Sequence, residues 1–222
     1  MNRYSLLHAT RSTPDRALAT RAVWLDRAKH PKRVQHIFGV QDDDHESIKA
    51  FTNAKAKFVQ TPKPPEWASS SVANWNAAAR LSTSDWSLII ADDLIPARGW
   101  DDALDQDTAQ IDQTRAWAIQ VPDGIADDEL LRHPIVNRAL YHRRGGFIFD
   151  PAFYGVYCDN DLTLWCRKHA NVSRAESMRV KHLHPINGSR LNDPITALQN
   201  SDAAYQYGSQ MLLRKWPDAK EY

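Results

Sequence analysis

The chain has 222 residues, of which 42% are hydrophobic and 25% charged, with a formal net charge of +1. These values exclude a disordered or fibrous class and a wholesale basic surface, and they allow one substantial core. No apolar run is long enough to span a bilayer or form a signal-peptide core, and Cys158 and Cys166 show neither metal-ligand spacing nor a disulfide framework, so the expectation is a soluble, cytoplasmic, single-domain protein.

The stretch 4–9 reads as a short strand, after which Ser12-Thr13-Pro14-Asp15 opens a helix with a hydroxyl cap, a proline in the first turn and an early acid. Leu18, Ala22 and Leu25 recur at helical spacing as far as Lys29. A second strand over 34–40 runs into Asp42-Asp43-Asp44, and a third is expected over 57–60, before the Pro-rich Thr61-Pro62-Lys63-Pro64-Pro65. Ser69-Ser70-Ser71 then caps a helix whose Val72, Trp75 and Ala79 share one face. It leads to an apolar strand over 86–91 that stops at Asp92-Asp93.

Beyond it, 114–120 is another strand candidate. A mixed region from Arg132 to Gly146 follows, its Gly145-Gly146 pair marking a tight turn or close approach to a ligand. A short helix over 161–169 turns Leu162, Trp165 and Cys166 inward, a strand over 176–181 precedes His182-Leu183-His184, and 195–216 reads as helical. Trp75, Trp86, Trp117 and Trp165 fall at core positions, whereas Trp67 and Trp100, flanked by loop residues, are the candidates for stacking on an acceptor. The alternation of strand and helix predicts an α/β fold with a mostly parallel central sheet flanked by helices, whose ligands gather beyond the carboxyl ends of the strands.

A Leu- and Ile-rich strand is buried on both faces, so it cannot pack two terminal carboxylates into a core. One reading gives Asp92-Asp93 a divalent metal, since hard oxygen ligands suit Mg²⁺ or Mn²⁺. The other is a polar turn in which Asp93 caps the next helix. The second acidic cluster, Asp42 to Asp44, also lies at a strand end, which favours a common site over two unrelated turns.

The order of these motifs resembles the GT-A glycosyltransferases, specifically the large group (family 2) that uses nucleotide-sugar donors. The shared order is a strand and an Arg-bearing helix start, a strand ending in acid, an Asn-containing helix (Asn74-Trp75-Asn76), an acidic strand end, a Gly-Gly-Phe segment (Gly145-Gly146-Phe147), and a counterpart of Glu-Asp-x-Asp-Leu at Cys158-Asp159-Asn160-Asp161-Leu162. Cys158 stands where that family usually has Glu. The resemblance implies a Rossmann-like GT-A domain over 1–222, with a nucleotide-binding part over 1–95, an acceptor and catalytic part over 96–190, and a helical tail over 191–222. It further implies a nucleoside-diphosphate sugar as donor, and Mn²⁺ or Mg²⁺ held by Asp93 with His184, His182 being its rival. Thr10, Arg11, Arg16, Asp43, Asp44, Asn74, Asp92 and Gly146 would contact the nucleotide sugar. Asp159 would be the general base of an inverting displacement, with Asp161 as the second catalytic acid.

Three other readings stay open. The positive residues Arg132, Arg138, Arg143, Arg144 and Lys181 could hold a phosphate backbone, which would make a hydroxylated base in DNA the acceptor. Asp92, Asp93, Asp159 and the two late histidines could instead serve a metal-dependent hydrolase or nucleotidyltransferase. Cys158 in place of Glu speaks for a binding module without catalysis.

Overall fold

Successive side chains of a strand point to opposite faces, so a strand buried throughout needs apolar partners on both sides. The computed structural model, which describes residues 2–126, 128–183, 188 and 194–219, supplies them. β1 (Tyr4–Ala9) lies between β2 (Val34–Gln41) and β4 (Trp86–Ile90), pairing parallel with both, and β3 (Phe58–Thr61) adds to the far edge of β2. The seven-stranded sheet has the order β3-β2-β1-β4-β7-β6-β8, in which β7 (Ile135–Asn137) alone runs against its neighbours, β4 and β6 (Trp117–Gln120), while β8 (Asn171–Arg174) is parallel to β6. Leu7, Ile37 and Ile89 pack on one side with Val72, Trp75 and Leu162. Leu6, Leu88 and Ile90 pack on the other with Trp24, Trp100 and Leu104.

The α-helices of the described residues are α1 (Pro14–Arg27), α2 (His45–Asn53), α3 (Ser71–Arg80), α4 (Trp100–Thr108), α5 (Arg138–Arg143), α6 (Cys158–His169), α7 (Pro194–Gln199) and α8 (Asp202–Lys215). A separate two-stranded ladder pairs β5 (Leu94–Pro96) antiparallel with β9 (Val180–His182), in a register that sets His182 opposite Leu94. β2 and β3 extend the sheet to one side of β1, and β4 starts the other side. Ligands of open α/β sheets bind where the strand order reverses in this way, in the crevice beyond the strand ends. Here that point lies between Ala9 and Asp92.

Several elements differ from the sequence reading. The buried face of α1 is Ala17, Thr20 and Trp24 rather than Leu18, Ala22 and Leu25, because Thr20 Oγ1 and the Trp24 indole donate to the carbonyls of Asp92 and Leu94. Asp93 caps no helix: α4 begins at Trp100 with Gly99 at its N-cap. Trp100 is fully buried, with its indole bonded to the Trp24 carbonyl, and so cannot be an acceptor platform. α6 begins at Cys158, three residues before its expected start, and the strand expected over 176–181 is displaced to Val180–His182.

One close approach fixes the wall of the crevice. A Cβ on Gly39 of β2 would lie 2.3 Å from the backbone oxygen of Asn74 in α3. Gly39→Ala should therefore push α3 off the sheet, at a cost of about 3 kcal/mol. Thermal denaturation reads that loss, and a wild-type melting temperature would contradict this packing.

Candidate active site

The strand end carrying the two aspartates is held from every side. Trp75 Nε1 donates to the Ile90 carbonyl, Thr20 and Trp24 bond the carbonyls of Asp92 and Leu94, and the Leu183 N–H reaches the Asp93 carbonyl at 2.8 Å. With the backbone fixed, the two carboxylates point to different partners. Asp92 accepts from Thr10 Oγ1 at 3.0 Å and from Thr13 Oγ1, and its other oxygen lies 2.7 Å from His8 Nε2. Thr13, at the N-cap of α1, spends its hydroxyl on Asp92 instead of capping the helix. Asp92 thus fastens the ends of β1 and β4 together.

Asp93 faces the β9 side. Its Oδ1 lies 3.6 Å from His182 Nε2, while His182 Nδ1 lies 3.5 Å from Asp123 Oδ2. The His133 ring meets His182 edge-to-face at 4.8 Å. Burial opposes a charge on His182, but Asp123 and Asp93 outweigh it and carry the imidazole up to about 9. His133 goes the other way: burial, with His182 beside it, holds it down to about 3, an uncharged ring. Sequence reasoning passed over both Asp123 and His133. Asp123 carried the same signal as the other acids, since it follows the end of β6.

Beside this cluster lies an open cleft lined by Thr10, Arg11, Thr13, Arg16, Asn74, Asp92 and Asp93, with Thr196 and Gln199 of α7. Six of the expected site residues meet there: Thr10, Arg11, Arg16, Asn74, Asp92 and Asp93. Arg16 Nε sits 3.6 Å from Asp92, so the cleft sets guanidinium groups against its acidic floor. Asn74 spans the wall, accepting from Thr61 Oγ1 and donating to Ser70 Oγ at 3.2 Å.

The remaining expected residues lie elsewhere. Asp44 caps α2 through the Ser47 N–H and also accepts the Ser12 N–H at 2.6 Å, so its carboxylate closes a loop rather than facing a base or ribose. Asp43 is exposed and pairs with Lys63. Gly145 and Gly146 terminate α5, their N–H groups returning to His142 and Tyr141 as in a Schellman cap, which accounts for the glycine pair without a ligand. His184 lies outside the described residues. Asp159 occupies the first turn of α6 next to the loop that carries His133: the Leu131 N–H donates to Thr163 Oγ1, which donates to the Asp159 carbonyl. Burial pushes the Asp159 carboxyl up.

Asp161 departs from its expected catalytic role. It is fully buried, with one oxygen on Arg144 and the other on the Trp216 indole at 2.8 Å and Lys215 at 2.7 Å. Its work is to join α5, α6 and α8. The same pair takes Arg144 out of the expected basic surface, and Arg132 is tied to Asp128.

No protein-family model and no curated sequence matches the chain. Solved structures do. TarS 1–349 of S. aureus in complex with UDP aligns over 98% of this chain and 72% of its own, with 11% identity and a TM-score of 0.57. The mannosyltransferase PcManGT from Pyrobaculum calidifontis, in complex with GDP-Man and Mn²⁺, aligns over 99% of this chain and 76% of its own, with 13% identity and a TM-score of 0.56. Glucosyl-3-phosphoglycerate synthase from Mycobacterium tuberculosis, with Mg²⁺ and UDP, aligns over 99% and 81%, with 12% identity and a TM-score of 0.60. The fold is therefore the GT-A fold of these glycosyltransferases. No helix among the described residues is long and apolar enough to cross a membrane.

Proposed function

We propose that the chain transfers a sugar from a nucleoside-diphosphate sugar to an acceptor hydroxyl, with a divalent metal ion bound at Asp93. The observation that carries this reading is the meeting of Asp93 with Arg11 and Arg16 in a cleft at the topological switch point of the sheet. A carboxylate fixed through its backbone suits a cation, and the two guanidinium groups suit phosphate oxygens. That similar folds have been solved with UDP or with GDP-Man and Mn²⁺ supports the choice of ligand.

The metal, when bound, neutralises charge on the departing diphosphate. Asp93 would hold it together with the imidazole that the resemblance assigns to His184. Arg11 and Arg16 bind the phosphates, and Asp92 keeps the two strand ends closed around them. Asp159 takes the proton of the acceptor hydroxyl as the new bond to the anomeric carbon forms and the bond to the diphosphate oxygen breaks, a single displacement with inversion. A carboxyl raised by burial is a stronger base than one in water, which favours catalysis over an idle binding module. A DNA acceptor loses part of its support, because two of its five basic residues, Arg144 and Arg132, are engaged within the protein. The buried free cysteines suit a reducing compartment such as the cytoplasm.

Thermal denaturation with a panel of nucleoside diphosphates and their sugars, each with and without Mn²⁺, tests the reading. At about 100-fold over Kd the right ligand adds about 2.7 kcal/mol, a rise of roughly 5–10 °C for a chain of this size. Protection by a nucleoside diphosphate that requires Mn²⁺ is the expected result. Protection by none of them, in either condition, would exclude sugar transfer at this cleft.

A further inference from the structure

We propose that Asp123, His133 and His182 form a transition-metal site of their own, which fills in the absence of nucleotide. One ligand atom from each residue lies within 4.8 Å of the other two. The three come from well-held positions: Asp123 follows β6, His133 precedes β7, His182 ends β9, and the His182 N–H bonds the Asp123 carbonyl at 3.1 Å. Two of the three are almost fully enclosed, Asp123 at 5% and His182 at 8% exposure. Within this space His133 Nδ1 is buried and makes no hydrogen bond among the described residues. A buried imidazole nitrogen beside a carboxylate and a second imidazole is a donor set, and a polar group left so costs free energy unless something binds it.

The far side of His182 faces a carboxylate, as the other ring nitrogen of a metal-bound histidine usually does. Ligating imidazoles donate their other ring N–H to a carboxylate, which fixes the ring and raises its basicity. With Nδ1 turned to Asp123, His182 Nε2 faces Asp93 Oδ1 at 3.6 Å. Two imidazoles and one carboxylate select Zn²⁺, Co²⁺ or Fe²⁺ over Mg²⁺ and Ca²⁺. Three protein donors also hold an ion without help from phosphate, unlike a site resting chiefly on Asp93. The ion would orient Asp93 through His182 before any donor arrives.

Titration of the metal-stripped full chain with Co²⁺ alone, followed by visible ligand-field absorption, tests this. The expected result is one equivalent of Co²⁺ bound, at least tenfold weaker in His133→Gln, with the single equivalent retained in Asp93→Asn. X-ray absorption on the Co²⁺-loaded wild type should count two imidazoles, a readout that does not depend on a variant folding. Absence of the absorption band without nucleotide, unchanged affinity in His133→Gln, loss of the equivalent in Asp93→Asn, or a shell without imidazole would each overturn the proposal. Because no nucleotide is present, such a failure leaves sugar transfer standing. Failure of nucleotide protection with the Co²⁺ site intact would strike that reading alone.

Discussion

Asp159→Asn should lower sugar transfer by about 10²–10⁴-fold, the usual contribution of a positioned general base, while Mn²⁺-dependent nucleotide binding is unchanged. Asn preserves the shape and the Asn160 N–H contact made by Oδ1, but cannot take up a proton. Burial raises the Asp159 carboxyl, so the basic form is lost as pH falls through that raised value. The rate of the wild type should therefore fall on the acid side, and the residual rate of the variant should lack this limb. Stability has the opposite sign. A carboxyl raised on folding favours the folded state below its unfolded value, and that advantage is lost as pH rises through the folded one. The variant should thus melt no lower than the wild type at neutral pH. Initial rates across pH with parallel melting curves check both statements, and an unchanged rate rejects Asp159 as the base.

Asp161→Asn should act on stability instead. Removing one partner of a buried ion pair leaves the other charge uncompensated, at about 3–5 kcal/mol, which lowers the melting temperature by roughly 6–20 °C. Arg144 is 1% exposed and lies over the Trp165 and Phe147 rings, with no route to water for its charge. Lys215 at the end of α8 faces the same lost charge, so that end should be the first part to loosen. Hydrogen exchange over α8, together with the melting curve, checks this. A variant as stable as the wild type would mean that the network contributes nothing net.

Strands β1, β2 and β4 were legible because they are largely buried on both faces. Leu6, Leu7 and the Leu88-Ile89-Ile90 run have no polar alternation to confuse, and their acidic ends marked where ligands gather. Helices α2 and α4 were missed because polar residues fill much of their inner faces: α2 buries Ser47 with Phe51, and α4 buries Asp101 and Thr108 with Trp100 and Leu104. Side-chain hydrogen bonds from Thr20 and Trp24 decided the inner face of α1, and apolar spacing carries no trace of them.

Of the residues that line the cleft, Asp93 was readable as an acid at a strand end, while Arg11 and Arg16 came only from the family resemblance. Asp123 and His133 were not readable, because they flank strands β6 and β7 and meet His182 only through the β5–β9 ladder. Asp161 misled because an acid in a motif and an acid in a buried ion pair look alike until Arg144 and Lys215 fold onto it.

The most direct measurement is a crystal structure of the chain with a nucleoside diphosphate and Mn²⁺, with the ion located by its anomalous scattering. A manganese peak on the Asp93 carboxylate, bridging to a diphosphate between Arg11 and Arg16, is the predicted result. A nucleotide bound away from the Ala9–Asp92 crevice, or an ion that does not touch Asp93, would contradict it.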